Sequence, residues 1–408
     1  MFNIISDLGL EMINDRFEPI EFKTSPFVGK EDANPERDLQ EAEKCLREHP
    51  EDLDALINKG IAYGRVKMFD AAKANLIKAK QLSLKQKGPY GLAHAAMASY
   101  NLAEFLDEMG LNSESEREYL EAIDYGYRSK TPGGKIFGAL AALDLGFTYR
   151  DNKRSSDAQK LLVLAIEFGK ASKKPDGYFA AARAAFNLGY MRLGEGAIEE
   201  YISLFKDTIK YGRSAGIPSA LRTATQASLS LASWLNIVGQ ENESKELLEE
   251  AQHIGSVTNT SDTNLQASLA SELLADNLLH SGRILEAQSA YRKAIDLGRM
   301  SRQEKGLDVA CHASVRLGML LDRINSFPES QSAYEDAISI AQEAKTANSL
   351  FYGASAALLL GTGFAELGQT VNAVRMLEEA VRLGESSNTP KGTNTANEAR
   401  TYLQRFQH

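Results

Sequence analysis

Small and apolar residues recur along this chain with a beat of 43. Stepping by 43 from Gly60 gives Gly60, Ala103, Gly146, Gly189, Ala232, Ala275, Gly318 and Gly361, every one Gly or Ala. One residue earlier, after Lys59, come Leu102, Leu145, Leu188, Leu231, Leu274, Leu317 and Leu360. Four residues before the Gly/Ala column lie Leu56, Ser99, Ala142, Ala185, Ser228, Ser271, Ser314 and Ala357, small in seven of eight. Small residues four apart, with Leu beside the second, share one helix face. A second helix in each unit carries Leu76, Tyr119, Leu162, Phe205, Leu248, Tyr291, Tyr334 and Leu377. Three residues on it carries Ala79, Ala122, Ala165, Thr208, Ala251, Ala294, Ala337 and Ala380. A large side chain beside a small one lets two helices interlock at short range.

The breaks repeat as well. Between the two helices stands Gly110, Gly196, Gly239, Gly282 or Gly368, with Asn325 in the same column; Lys67 and Lys153 depart from it. Gly and Asn accept the left-handed backbone that ends a helix. Turn-rich stretches such as Gly88-Pro89, Thr131-Pro132-Gly133-Gly134 and Lys174-Pro175-Asp176-Gly177 separate the units. Nothing reads as alternating β-branched residues. The pattern predicts an all-α chain with eight helix–turn–helix units over 51–387. Residues 35–50 predict a lone capping helix and 388–408 a closing one, clearest over Ala396–Phe406. Residues 1–34 fit no unit. Pro19, Pro26 and Pro35 break them up, so a flexible lead-in is expected ahead of a segment folded back onto the array.

The unit resembles the tetratricopeptide repeat. Leu145, Gly146, Tyr149, Ala158, Leu162 and Ala165 match its signature in the third unit, and Leu274, Ala275, Leu278, Gly282, Ala287, Tyr291 and Ala294 in the sixth. The common unit is shorter, so a period of 43 is similar to the long, kinesin-light-chain-like variants. The Trp often found early in the unit is missing, and the fourth unit departs with Arg192, Tyr201 and Thr208. The resemblance implies a right-handed α-solenoid whose first helices line a concave groove where partners lie. One groove column reads Asn58, Asn101, Asp144, Asn187, Ser230, Leu273, Arg316 and Leu359. Asn amides donate and accept, so Asn58, Asn101 and Asn187 can hold a peptide backbone, as family members do. Tyr100, Phe147, Phe186 and Tyr190 could pack partner side chains, and Arg150 and Arg183 could pair with acids. The plainer roles are local hydrogen bonds for the amides and gap filling for the aromatics. The clamp that binds acidic chaperone C-termini is disfavoured by Ile57, Ile61 and Glu104 at its positions.

Composition narrows the function. With 43% apolar and 25% charged residues in 408, wholesale disorder is excluded. A net charge of −9 argues against nucleic acid binding driven by overall charge. A local basic edge does run through Lys85, Lys87, Arg128, Lys130, Lys135, Lys170, Lys173, Lys174, Lys210 and Arg213. Such an edge could meet an acidic partner, though cations also suit helix C-termini. Phosphate-loop, HExxH, GxSxG and CxxC motifs are absent. The six histidines lack ligand spacing, and Cys311-His312 reads as a buried Cys beside a groove-facing His. No catalytic residue, cofactor or metal site is assigned. The start of the chain is a poor signal peptide, and no uncharged apolar stretch reaches the ~18 residues of a membrane span. With two distant cysteines, the expected compartment is the cytoplasm. The expected function is a non-enzymatic adaptor that holds a peptide or helix of a partner protein, without membrane insertion. The alternatives are a sensor responding to peptide or ligand, and a nucleic-acid binder along the basic edge.

Overall fold

The computed structural model describes residues 34–406, and every regular element among them is an α-helix. The expectations for residues 1–33 lie outside the described residues, as do Gln407 and His408. The described chain divides into two compact bodies, 34–227 and 228–406.

In the first body α1 (Pro35–Glu48) is a single helix, followed by hairpins of α2 (Leu53–Arg65) with α3 (Phe69–Lys85) and α4 (Pro89–Glu108) with α5 (Asn112–Ser129). Two more follow, α6 (Pro132–Asp151) with α7 (Ser155–Ser172) and α8 (Pro175–Gly194) with α9 (Ile198–Ala215). Helix α10 (Pro218–Ile237) contains the division at 227/228. The second body continues with α11 (Glu241–Thr258), α12 (Ser261–His280), α13 (Ile284–Ser301), α14 (Glu304–Arg323), α15 (Phe327–Ala344), α16 (Ala347–Glu366), α17 (Thr370–Ser386) and α18 (Pro390–Gln404). From α4 onward each first helix starts 43 residues after the last, with no slip, so the periodicity of the sequence is the periodicity of the fold. First helices are 20 residues long from α4 to α16, whereas α2 has only 13.

Local chemistry sets the boundaries. Proline opens α4, α6, α8, α10 and α18, where its missing N–H is no loss and its φ is already helical. Thr131 and Thr389 accept from the backbone N–H of Gly134 and Gly392, both at 3.0 Å. Thr260 and Thr346 close reciprocal capping boxes with Thr263 and Ser349. The turn inside every hairpin is left-handed at one register: Lys67, Gly110, Lys153, Gly196, Gly239, Gly282, Asn325 and Gly368 all have positive φ. Lys67 and Lys153, which break the glycine column in sequence, therefore keep its backbone at φ 60°. The hairpin's hydrogen bonding dictates the conformation, and the side chain tolerates it.

Packing follows the columns. Within a hairpin the Gly/Ala position meets the large residue of the second helix: a methyl on Gly189 would lie 2.6 Å from Phe205, and one on Gly318 2.5 Å from Tyr334. The large column from Leu76 to Leu377 is buried throughout, and so is the Leu column after Lys59. Lys59 instead pairs with Glu43 of α1 at 3.1 Å. Between hairpins a further column does the equivalent work: Gly126, Gly169, Gly212, Gly255, Gly298 and Gly384 approach the backbone of the next first helix so closely that a Cβ would not fit. Helix α18 seats on Gly384 in the same way.

Candidate binding groove

The first helices of the first body line a cavity of about 410 Å³ bounded by α1, α2, α4, α6 and the start of α8. Its α2 wall is one helix face, with Asp54, Asn58, Ile61 and Arg65 at intervals of three and four. Met97, Tyr100 and Asn101 come from α4, and Ile136, Phe137 and Leu140 from α6. Among the described residues five carboxylates reach it, Asp38, Glu41, Asp52, Asp54 and Asp176, against one cation, Arg65. Arg65 donates to Asp38 Oδ2 at 3.0 Å, and both are nearly buried. Asp176 has no cation beside it among the described residues, and burial pushes its carboxyl above the usual range.

The nine residues singled out from sequence fall into two groups. Asn58, Tyr100 and Asn101 line the cavity. Asn58 is exposed, whereas Tyr100 and Asn101 are 1% and 2% exposed. Tyr100 donates its O–H to Asp144 Oδ2 at 3.0 Å, and Asn101 donates from Nδ2 to the Met97 carbonyl at 2.8 Å. The other six cluster on α6 and α8. Arg150 donates to Asn187 Oδ1 at 2.8 Å, and Asn187 Nδ2 donates to the Arg183 carbonyl at 2.9 Å. The guanidinium groups of Arg150 and Arg183 lie 5.2 and 5.4 Å from the Phe147 ring. Arg183 is buried, which lowers its pKa, opposed by the charge of Asp144. Phe186 is buried, and with Tyr190 and Phe205 it makes three ring contacts at 4.9–5.3 Å. Phe186 therefore helps fill its own hairpin, and Tyr190 borders that packing.

Sequence reasoning missed the carboxylates and α1's share of the wall. Stepping three and four residues from Asn58 would have found Asp54, Ile61 and Arg65. Asp176 lay in a stretch read only as a turn. The second body carries its own polar ladder on first helices. His312 contacts Glu272 and packs its ring at a tilt against Tyr352, centroids 4.6 Å apart, while Arg316 donates to Asp276 Oδ1 at 2.8 Å. Cys311 is fully buried and donates its S–H to the Ala337 carbonyl at 3.3 Å. Along the basic edge, Lys130 and Lys173 are left-handed helix C-caps and Arg128 pairs with Asp124 at 2.8 Å.

The family described as Anaphase-promoting complex subunit 5 matches residues 225–356 and 345–407. Comparison with curated proteins gives no match. Among solved structures, the apo form of RapI is 14% identical, covering 73% of this chain and 98% of its own, with a TM-score of 0.38. The apo quorum sensor NprR from B. thuringiensis is 13% identical, covering 91% and 98%, with a TM-score of 0.38. Aspartyl phosphate phosphatase F from Bacillus subtilis is 11% identical, covering 88% and 94%, with a TM-score of 0.40. The deciding feature is the hairpin itself, repeated in register with small residues set against large ones. The described chain is an array of helix–turn–helix repeats, the architecture that the resemblance to the tetratricopeptide repeat implies. Its repeats are long, and no helix among its described residues is long and apolar enough to cross a membrane.

Proposed function

We propose that this repeat protein is a non-enzymatic adaptor that holds a peptide or helix of a partner protein against the first helices of its first body. The observation that carries this reading is the cavity of about 410 Å³, where amides and carboxylates alternate with Ile61, Met97, Ile136, Phe137 and Leu140. Mixed polar and apolar walls suit a polypeptide, whose backbone needs partners and whose side chains need cover. Its walls are helices locked by backbone-to-backbone packing, so little ordering falls on this side at binding.

Affinity capture from the native source tests the reading, comparing wild type with an Asn58→Ala/Asn101→Ala/Arg150→Ala variant whose melting curve is unchanged. Loss of particular proteins from the variant is expected. Equal recovery of every protein by both would remove the groove as the binding surface.

A further inference from the structure

We infer that the cavity of the first body takes a cationic segment of its partner: a Lys or Arg side chain flanked by apolar residues. This narrows the groove function proposed above and rests on it. Complementarity of hydrogen bonding comes first. Asn101 is 2% exposed and lines the cavity, yet only its Nδ2 is engaged, by the Met97 carbonyl, and its Oδ1 has no partner among the described residues. Facing the cavity, that oxygen is an open acceptor for a ligand's donor. Charge comes second. Asp54 and Asp176 face the same space; Asp54 is mostly exposed and meets only His94, at 3.2 Å, while Asp176 has no ion pair among the described residues. Among the described residues the sole lining cation, Arg65, is held by Asp38. Every uncommitted charge that the described residues bring to the space is therefore negative, and the uncommitted atom beneath it is an acceptor. An ammonium or guanidinium supplies only donors and positive charge, so it satisfies both at once. The apolar α6 wall of Ile136, Phe137 and Leu140 adds the requirement for flanking apolar residues.

A displayed random-peptide library, selected on the full chain, tests this. Three proteins are compared: wild type, Asp54→Asn/Asp176→Asn, and a control losing two exposed acids elsewhere, Glu366→Gln/Glu378→Gln. Selection on wild type and on the control is expected to enrich Lys or Arg beside Leu, Ile or Phe. Synthetic peptides of those sequences should bind the Asp54→Asn/Asp176→Asn protein about tenfold more weakly. Enriched sequences that lack basic residues, bind the Asp54→Asn/Asp176→Asn protein undiminished and are lost with Asn101→Ala/Arg150→Ala would overturn the cationic inference and leave the groove function standing. A library that enriches nothing on any of the proteins would overturn both. Equal weakening by the control pair would reduce the effect to net charge and also overturn the inference.

Discussion

A methyl group on Gly353 of α16 would lie 2.4 Å from the Cβ of Ala341 on α15. At the equivalent junction one repeat earlier the residues are exchanged: Gly298 stands on the second helix and Ala310 on the next first helix, and a methyl on Gly298 would lie 3.0 Å from the Ala310 Cβ. At these two crossings one side chain is present, and either helix can supply it. Gly353→Ala is expected to destabilise by about 1–3 kcal/mol, as overpacking does in a close-packed contact. Ala341→Gly in the same chain should recover most of that loss, apart from the ~0.5–1 kcal/mol that glycine costs inside a helix. A double-mutant cycle from urea melts measures the coupling, and additive effects would show that the two helices can move apart.

The turn between hairpins holds a second coupled pair. Ser129 Oγ lies where a Cβ on Gly134 would fall, at 1.9 Å, and the pairs Ser172–Gly177, Ser301–Gly306 and Ser387–Gly392 repeat this geometry. Where the serine is absent, as at Ala215, Ala220 replaces the glycine. Gly134→Ala should therefore lower the melting temperature, whereas Ser129→Ala/Gly134→Ala should melt close to wild type. An equally depressed melt for the double variant would place the strain in the backbone, not in the hydroxyl.

Lys153 is exposed and left-handed at φ 60°, in the column where Gly196 and Gly239 sit. An L-residue in that conformation costs about 1–2 kcal/mol, against ~0.5–1 kcal/mol of extra unfolded-chain entropy for glycine. Lys153→Gly is expected to stabilise by roughly 0.5–1 kcal/mol in denaturant melts. The reverse change, Gly196→Lys, should destabilise by a similar amount.

These pairs show what the sequence made legible. The columns through Gly60, Leu102 and Leu76 were visible because intra-hairpin contacts repeat every 43 residues with one residue type. The junction at Gly126 was less visible, since Ser83 and Ala341 interrupt it and the glycine that compensates for Ala341, Gly353, sits 12 positions away on another helix. The groove was legible in part. Asn58 and Asn101 line the cavity, but Arg183 lies over Phe147 of the neighbouring hairpin, a contact that one repeat does not encode. The negative charge was not legible, because Asp38 comes from the capping helix, Asp54 and Asp176 come from two different repeats, and the three share no column.

Asp176 gives the pH dependence a sign. Burial raises its carboxyl pKa above the unfolded value, with no cation opposing it. The folded chain then holds this proton to higher pH than the unfolded chain does. Its favourable contribution is complete below the unfolded pKa and is lost as pH rises through the folded one, so ionised Asp176 weakens the fold at neutral pH. Asp176→Asn should accordingly melt slightly above wild type at pH 7, with the gap closing toward about pH 3.5. A lower melt for the variant at pH 7 would mean that the carboxylate is stabilised in the folded chain. A cationic partner reverses the preference, because the charge it brings favours the ionised carboxylate. Binding of a basic peptide should therefore release a proton when the pH lies near the raised pKa, and its affinity should fall as the solution is acidified through that range. Titration calorimetry in two buffers of different ionisation enthalpy reads the proton directly, and Asp176→Asn should abolish its contribution.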